Sequence, residues 1–400
     1  MRARRKISSL AAGTLCSLLL LACGGEPSPE LFGVDSAGVR ISLSPYHSGL
    51  FAGVDTTPTV SIGGPEALGP EQFFRIVDLH VDPAGRLWVA DLQSSEIRIF
   101  LRDGSHWKTL GGRGEGPGEF MRVSILGSFA GDSVAAWDDG LGRLTVFDSN
   151  GEIVRAWTVR GSDGGPTRPA DVFPDGSLLS RVPRILPASA VQRGQTLGDS
   201  LHLVRLSPVD SAETFIAGAP GPVWLWTGRS QLALPFTTNP GYDLVGEGLL
   251  LVHGPDFRVR VFEGSRLVTI LGVDRSPRPV SDSHRAAYRS FVEETVPERG
   301  REDVLATLDH PELPDQLPGY GGVLAAADGT VWAKVYTPDP LASETWEVFD
   351  LGGEFLGQVR PPRGFRLMAI AEDGLAGVWR DELGVEYVRV YRLNRHPDRS

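Results

Sequence analysis

The chain has 400 residues, 41% of them apolar, with two cysteines and a formal net charge of −11. A chain this long and this apolar buries a sizeable core without disulfide staples. Its acidic balance, with no basic stripe to offset it, excludes a nucleic-acid binder.

The first 22 residues read as an export signal. Arg2, Arg4, Arg5 and Lys6 form a basic head, and residues 10–22 an apolar run too short to span a bilayer. The run ends in Leu20-Leu21-Ala22-Cys23, which resembles the lipobox of bacterial lipoproteins. That resemblance implies cleavage before Cys23, diacylglycerol on its sulfur and acylation of its new amino group. Several acyl chains anchor stably where one does not. Gly24, in place of an aspartate after the cysteine, implies the outer membrane of a two-membrane cell. Residues 23–36, polar and rich in Gly and Pro, read as a flexible tether. Cleavage would remove four basic and no acidic residues, leaving a net charge of −15 and no free thiol.

The body, residues 37–396, announces itself through a repeat with a spacing of 47 residues. Phe73, Arg75, Asp91, Phe100 and Gly104 recur as Phe120, Arg122, Asp138, Phe147 and Gly151. In the first copy four short apolar runs are expected: Ile76 to Val81, Arg86 to Ala90, Glu96 to Phe100 and Trp107 to Leu110. Pro83-Ala84-Gly85 and Asp103-Gly104 supply the tight turns between them. Looser copies carry Pro174-Asp175-Gly176, Ala327-Asp328-Gly329 and Glu372-Asp373-Gly374. Four-stranded units at this period imply a propeller array.

Val89-Ala90-Asp91, Ile97-Arg98-Ile99-Phe100, Leu110-Gly111-Gly112 and Gly116-Pro117-Gly118-Glu119-Phe120 together resemble the NHL repeat of six-bladed β-propellers. Asp138 with Arg143-Leu144 fits that pattern more closely; Glu96 stands where the first copy would have its arginine. The fold expected is therefore all-β, a six-bladed β-propeller. Its blades lie near 73–112, 120–160, 168–219, 233–272, 319–360 and 364–393, and a strand at about 59–63 closes the last of them. Seven blades follow instead if residues 181–236 hide another. A small helical insert at about 281–318, between blades 4 and 5, breaks the β pattern, with Ser281 or Ser283 as N-cap and Pro297 ending the first helix.

Turns after first and third strands are mostly short, whereas those after second and fourth strands include 112–122, 181–200, 219–236, the insert and 336–344. Binding residues gather on variable loops held by a rigid scaffold, so the long-loop face is the candidate working face. Its candidates are Arg75, Arg122 and Arg366 for an anionic or sugar ligand, Asp91, Asp138 and Asp381 opening loops, and Trp224, Trp226, Tyr320 and Tyr336 for stacking. Against these stand structural uses: ion pairs between blades for the arginines, turn formation for the acids, interblade packing for the aromatics.

Signals for catalysis are sparse. The sequence has no Gly-x-Ser-x-Gly elbow and no His-Glu-x-x-His zinc helix. The expectation is a non-catalytic binding or scaffolding module of the cell envelope, held to the membrane by its lipid and engaging a protein, peptide or carbohydrate, with no cofactor, catalytic residue or metal. The alternative is a metal-dependent hydrolase or lyase with Ca²⁺ in the channel beside Asp82 or Asp138. The lipobox yields a direct test: Cys23→Ser should fold but leave the membrane fraction, whereas retention through high-salt and carbonate washes would contradict the anchor.

Overall fold

The computed structural model describes residues 34–36 and 38–395, except 130, 166, 168, 183–191, 247, 340–341 and 372–373. The expected export signal, Cys23 and most of the expected tether lie outside the described residues. No helix among the described residues is long and apolar enough to cross a membrane.

Among the described residues, six sheets of four to six strands follow one another along the chain. The first holds Ile76–Val81, Leu87–Asp91, Glu96–Phe100 and His106–Gly111, paired antiparallel in sequence order. Gly85 and Gly104 take φ of 77° and 86° in its two hairpins, the left-handed conformation that favours glycine. The second sheet repeats the plan with Val123–Phe129, Ser133–Asp138, Arg143–Phe147 and Ile153–Thr158. The fifth uses Tyr320–Ala325, Val331–Val335, Trp346–Phe349 and Phe355–Val359.

The other three sheets modify the plan. The third runs Pro169–Val172, Leu178–Arg181, Thr196–Leu206, Glu213–Trp226 and Gln231–Ala233, so among the described residues the 181–236 region, the place for a seventh blade, extends this sheet instead. The fourth holds Tyr242–Val245, Leu249–His253, Arg258–Glu263 and Arg266–Asp274. Val39–Pro45, a strand the sequence reading did not find, lies parallel to the last of these, and Val34–Ser36 folds back on it. The sixth holds Phe365–Ile370, Gly374–Arg380 and Glu386–Arg395, and the last strand pairs with both Val60–Gly63 and Ala52–Val54.

The first strands of the first and second, second and third, fourth and fifth, and fifth and sixth sheets stand side by side, and Phe365–Ile370 returns to Ile76–Val81. The core lies between consecutive sheets rather than within one. Trp88, Ile97 and Ile99 pack on Val123, Val134 and Phe147, for example, and Leu87, Val89 and Phe100 of the first sheet pack on Ala376, Val378 and Val388 of the sixth. Each large side chain fully buried this way is worth about 1.5–3 kcal/mol.

Connections between sheets leave backbone amides that no ladder can satisfy, and buried carboxylates take them. Asp91 accepts from the amides of Phe74 (2.8 Å) and Arg75 (3.2 Å); one repeat later Asp138 accepts from Met121 (2.7 Å) and Arg122 (3.1 Å). Arg143 secures the preceding loop through the carbonyls of Glu115, Gly116 and Glu119. In the first sheet Glu96 cannot donate, and Arg98, two residues on and on the same side of the strand, donates to the carbonyls of Pro70 and Gln72 instead. Gln72 is the repeat-equivalent of Glu119, so the tie survives from a shifted position.

The junction between the sixth and first sheets uses Glu386, whose carboxylate accepts from the Ile76 amide at 2.6 Å and from Arg380 at 2.5 and 3.0 Å. Glu386→Ala orphans a buried amide and should cost about 1–3 kcal/mol in urea unfolding, with Glu386→Gln, which keeps an acceptor, costing less than half as much. Equal effects of the two changes, or none, would contradict this role.

Candidate functional site

Two additions stand on the long-loop face. The first is an extension of the third sheet. Of the strand Thr196–Leu206, Leu178–Arg181 pairs with Leu203–Leu206 alone, whereas Thr196–Leu206 and Glu213–Trp226 continue to pair with each other as far as Thr196 and Leu225. The excess forms an arm about 20 Å long at about 3.3 Å per residue, with Gln231–Ala233 folded along its outer side. Trp224 and Trp226 lie in that outer pairing, half-buried.

The second addition is a helical segment carried on a two-stranded neck, Arg278–Pro279 against Gln316–Leu317. Helix α1 (Asp282–Thr295) begins at a reciprocal cap: the Ser281 hydroxyl accepts from the His284 amide, and the Ser281 amide donates to His284 Nδ1. Helix α2 (Glu298–Ala306) is broken near its start at Arg299 and Gly300. Phe236, Leu308 and Leu317 form the buried centre beneath the helices, joined by Tyr288, Leu305, Leu313 and Tyr336. Phe236 holds φ at 64°, a costly conformation for a bulky residue, while buried with its ring edge-on to Tyr288 at 5.9 Å. Burial, with Tyr288 adding to it, pushes the Tyr336 hydroxyl up to about 12. Thr196 of the arm donates to Glu312 of the insert at 2.6 Å, so the two additions touch.

The candidates drawn from sequence separate into groups. Arg75, Arg122 and Arg366 are exposed at the starts of the first strands of the first, second and sixth sheets, which are consecutive. Arg122 lies 3.9 Å from Asp139, and Arg366 donates to the Ile76 carbonyl at 3.4 Å, which ties it to the junction between sheets. Asp91 and Asp138 are fully buried on backbone amides, and Asp381 accepts from the amides of Leu383 and Val385 inside its own turn. Tyr320 is fully buried, donates to Glu347 at 2.8 Å and packs edge-on to Phe257. A ligand arriving from solvent has no access to that ring. Trp224, Trp226 and Tyr336 keep partial exposure beside the arm and insert.

Asp82 is likewise engaged, accepting from Arg86 Nε at 2.6 Å and Trp88 Nε1 at 2.9 Å. His80 meets Ser128 at 3.2 Å across to the second sheet, and burial lowers its imidazole to about 4.

Sequence reasoning missed three other acids, on the innermost strands of the first, third and fourth sheets. Asp78, Asp171 and Asp243 each accept from the amide of the next residue, at 2.9, 2.7 and 2.8 Å. Asp243 also accepts from Ala325 of the fifth sheet at 2.7 Å. Desolvation first, then the charges of Asp243 and Asp78, push the Asp171 carboxyl well above its usual range, and burial raises Asp243 to about 6. Three sheets thus direct like charge toward one region. A signal for them existed: each aspartate precedes Leu or Val on the first strand of its sheet. Among the described residues no group of three or more potential ligands is arranged to hold a metal ion.

No family model matches the chain, and no curated protein matches it. Among solved structures, a member of the DUF4221 family from Bacteroides vulgatus superposes with a TM-score of 0.52 at 11% identity, over 86% of this chain and 99% of that one. The chain is a β-propeller. Looser matches include a gluconolactonase from Xanthomonas campestris (TM-score 0.43, 14% identity, 87% and 99% covered) and virginiamycin B lyase from Staphylococcus aureus (0.41, 9%, 84% and 99%). At such identities the likeness is one of fold.

The acids yield a pH test. A carboxyl whose folded pKa is raised opposes folding once ionised, so its penalty is absent at low pH and grows as pH rises past the unfolded value near 3.8. Asp171→Asn should therefore stabilise the propeller at pH 8 and have little effect near pH 4, read as the difference in urea midpoint between the two pH values. A loss of stability at pH 8 would contradict the clustering of charge.

Proposed function

We propose that the chain is a six-bladed, NHL-like β-propeller lipoprotein that captures a protein, peptide or carbohydrate partner on its long-loop face at a bacterial cell envelope. In this reading Cys23 carries the lipid, the outer membrane is the site of anchorage, the strand near 59–63 closes the sixth blade, and the helical insert sits between blades 4 and 5. One observation carries it: the arm and the insert, the two largest departures from the repeated plan, rise on the same face and join through Thr196 and Glu312. Rigid scaffolds place binding on such additions, and half-exposed tryptophans beside them suit sugar or peptide stacking.

Asp91, Asp138, Asp381 and Tyr320 belong to the scaffold in this account, whereas Arg75, Arg122, Trp224, Trp226 and Tyr336 remain as contacts. A second reading, a channel-sited hydrolase or lyase using Ca²⁺, has one observation in its favour: the convergence of Asp78, Asp171 and Asp243. Asp82 and Asp138, its earlier candidates, are already occupied by internal donors.

The two readings separate by experiment. Trp224→Ala with Trp226→Ala should lower capture of envelope glycan fragments or envelope proteins by about tenfold, comparable to losing one or two stacking contacts, without altering cooperative unfolding. Chelator should leave capture and stability unchanged. Chelator-sensitive hydrolysis, abolished by Asp171→Asn, would overturn the binding module in favour of the enzyme.

A further inference from the structure

The opposite face, where the turns are short, holds a cavity of about 410 Å³ centred on the junction of the sixth and first sheets, with Ser128 of the second sheet and Ala327 of the fifth at its margins. Val81 and Leu87 line it from one side and Ile370, Ala371, Ala376 and Val390 from the other. Small alanines leave the two sheets apart where leucines would have closed them. The volume falls within the range of about 300–1,000 Å³ usual for small-molecule sites, and an apolar lining favours an apolar occupant over water.

Two charged side chains also line it, and their situations differ. Asp82 has its oxygens occupied by Arg86 and Trp88. Arg102, exposed on the rim, spends Nε on the Ala84 carbonyl at 2.9 Å. Its guanidinium rests over Gly85, where a Cβ would lie 2.1 Å from Nε, so the glycine allows the group to settle on the turn. The guanidinium is thus held in place at an apolar opening where Asp82, the one acid among the described lining residues, is already engaged by Arg86 and Trp88.

We propose that this cavity binds a monocarboxylate with an apolar body, the body between the sixth and first sheets and the carboxylate on the terminal nitrogens of Arg102. A guanidinium grips a carboxylate through paired, charge-assisted hydrogen bonds, and each methylene taken from water adds to affinity. The site is separate from the long-loop face and does not depend on the function proposed there. Occupancy would bridge the first and last sheets, so binding should also raise thermal stability by linkage.

The test is calorimetric titration of the full-length protein with sodium decanoate below its micelle concentration, alongside decanol as the uncharged match. Saturable binding of about one decanoate per chain is expected, with a concentration-dependent rise in Tm. Arg102→Gln, an exposed change, should weaken decanoate by about tenfold and leave decanol unaffected. Ala371→Leu, at a half-buried position, should abolish both while its unliganded Tm stays near that of the unaltered chain. Absence of saturable decanoate binding, equal affinity of decanoate for the unaltered and Arg102→Gln chains, or undiminished binding to a folded Ala371→Leu protein would each overturn the proposal.

Discussion

A sheet that ends a circular array needs an outer strand, and here the far end of the chain supplies it. Val60–Gly63 pairs with Tyr387–Val390, covering an edge that would otherwise present unpaired amides and carbonyls to solvent. The same junction carries Glu386 on the Ile76 amide and the apolar contacts of Leu87, Val89 and Phe100 with Ala376, Val378 and Val388. Everything on the two faces depends on this seam, because long loops hold position only where the strands beneath them do.

The N-terminal segment does more than close one edge. Val39–Pro45 runs along the outside of the fourth sheet, Leu50 bridges to Gln358 on the fifth, and Ala52–Val54 and Val60–Gly63 finish on the sixth. Ser44 both donates to the Gly353 carbonyl and accepts from the Phe355 amide, at 3.1 Å each. Gly357, with φ of 134°, admits the passing backbone, since a Cβ there would stand 2.6 Å from the Phe51 nitrogen. Three consecutive sheets are therefore strapped from outside by one segment. Its arrangement makes local opening of the sixth sheet depend on contacts made by the fourth and fifth.

Legibility in the sequence followed the range of the interactions. Turns were readable because Asp-Gly and Pro-x-Gly act locally, and the four strands of the first repeat fall within one residue of where alternation put them. Val39–Pro45 was not readable: its partner, Arg266–Asp274, lies across most of the chain, and parallel pairing leaves no hairpin to announce it. The Ser281 cap was readable down to two neighbouring serines, and the His284 side chain decides between them. Repetition misled where function was concerned. Asp91 and Asp138 recur because every such connection leaves amides to satisfy, so recurrence marked structural need, while Asp78, Asp171 and Asp243, which share no common spacing, went unnoticed.

The protein thus separates scaffold from additions. Ladder pairing and carboxylate-to-amide bonds hold the sheets, whereas the arm and helices rest on a few contacts such as Phe236 on Tyr288 and Thr196 on Glu312. Such additions open at lower free energy than the core they stand on. Hydrogen exchange resolved by segment tests this division most directly. Amides of 60–63 and 386–390 should exchange together and only with global unfolding, well after those of α1 and the arm. Early exchange of 60–63 while the six sheets remain protected would contradict closure by the N-terminal strand.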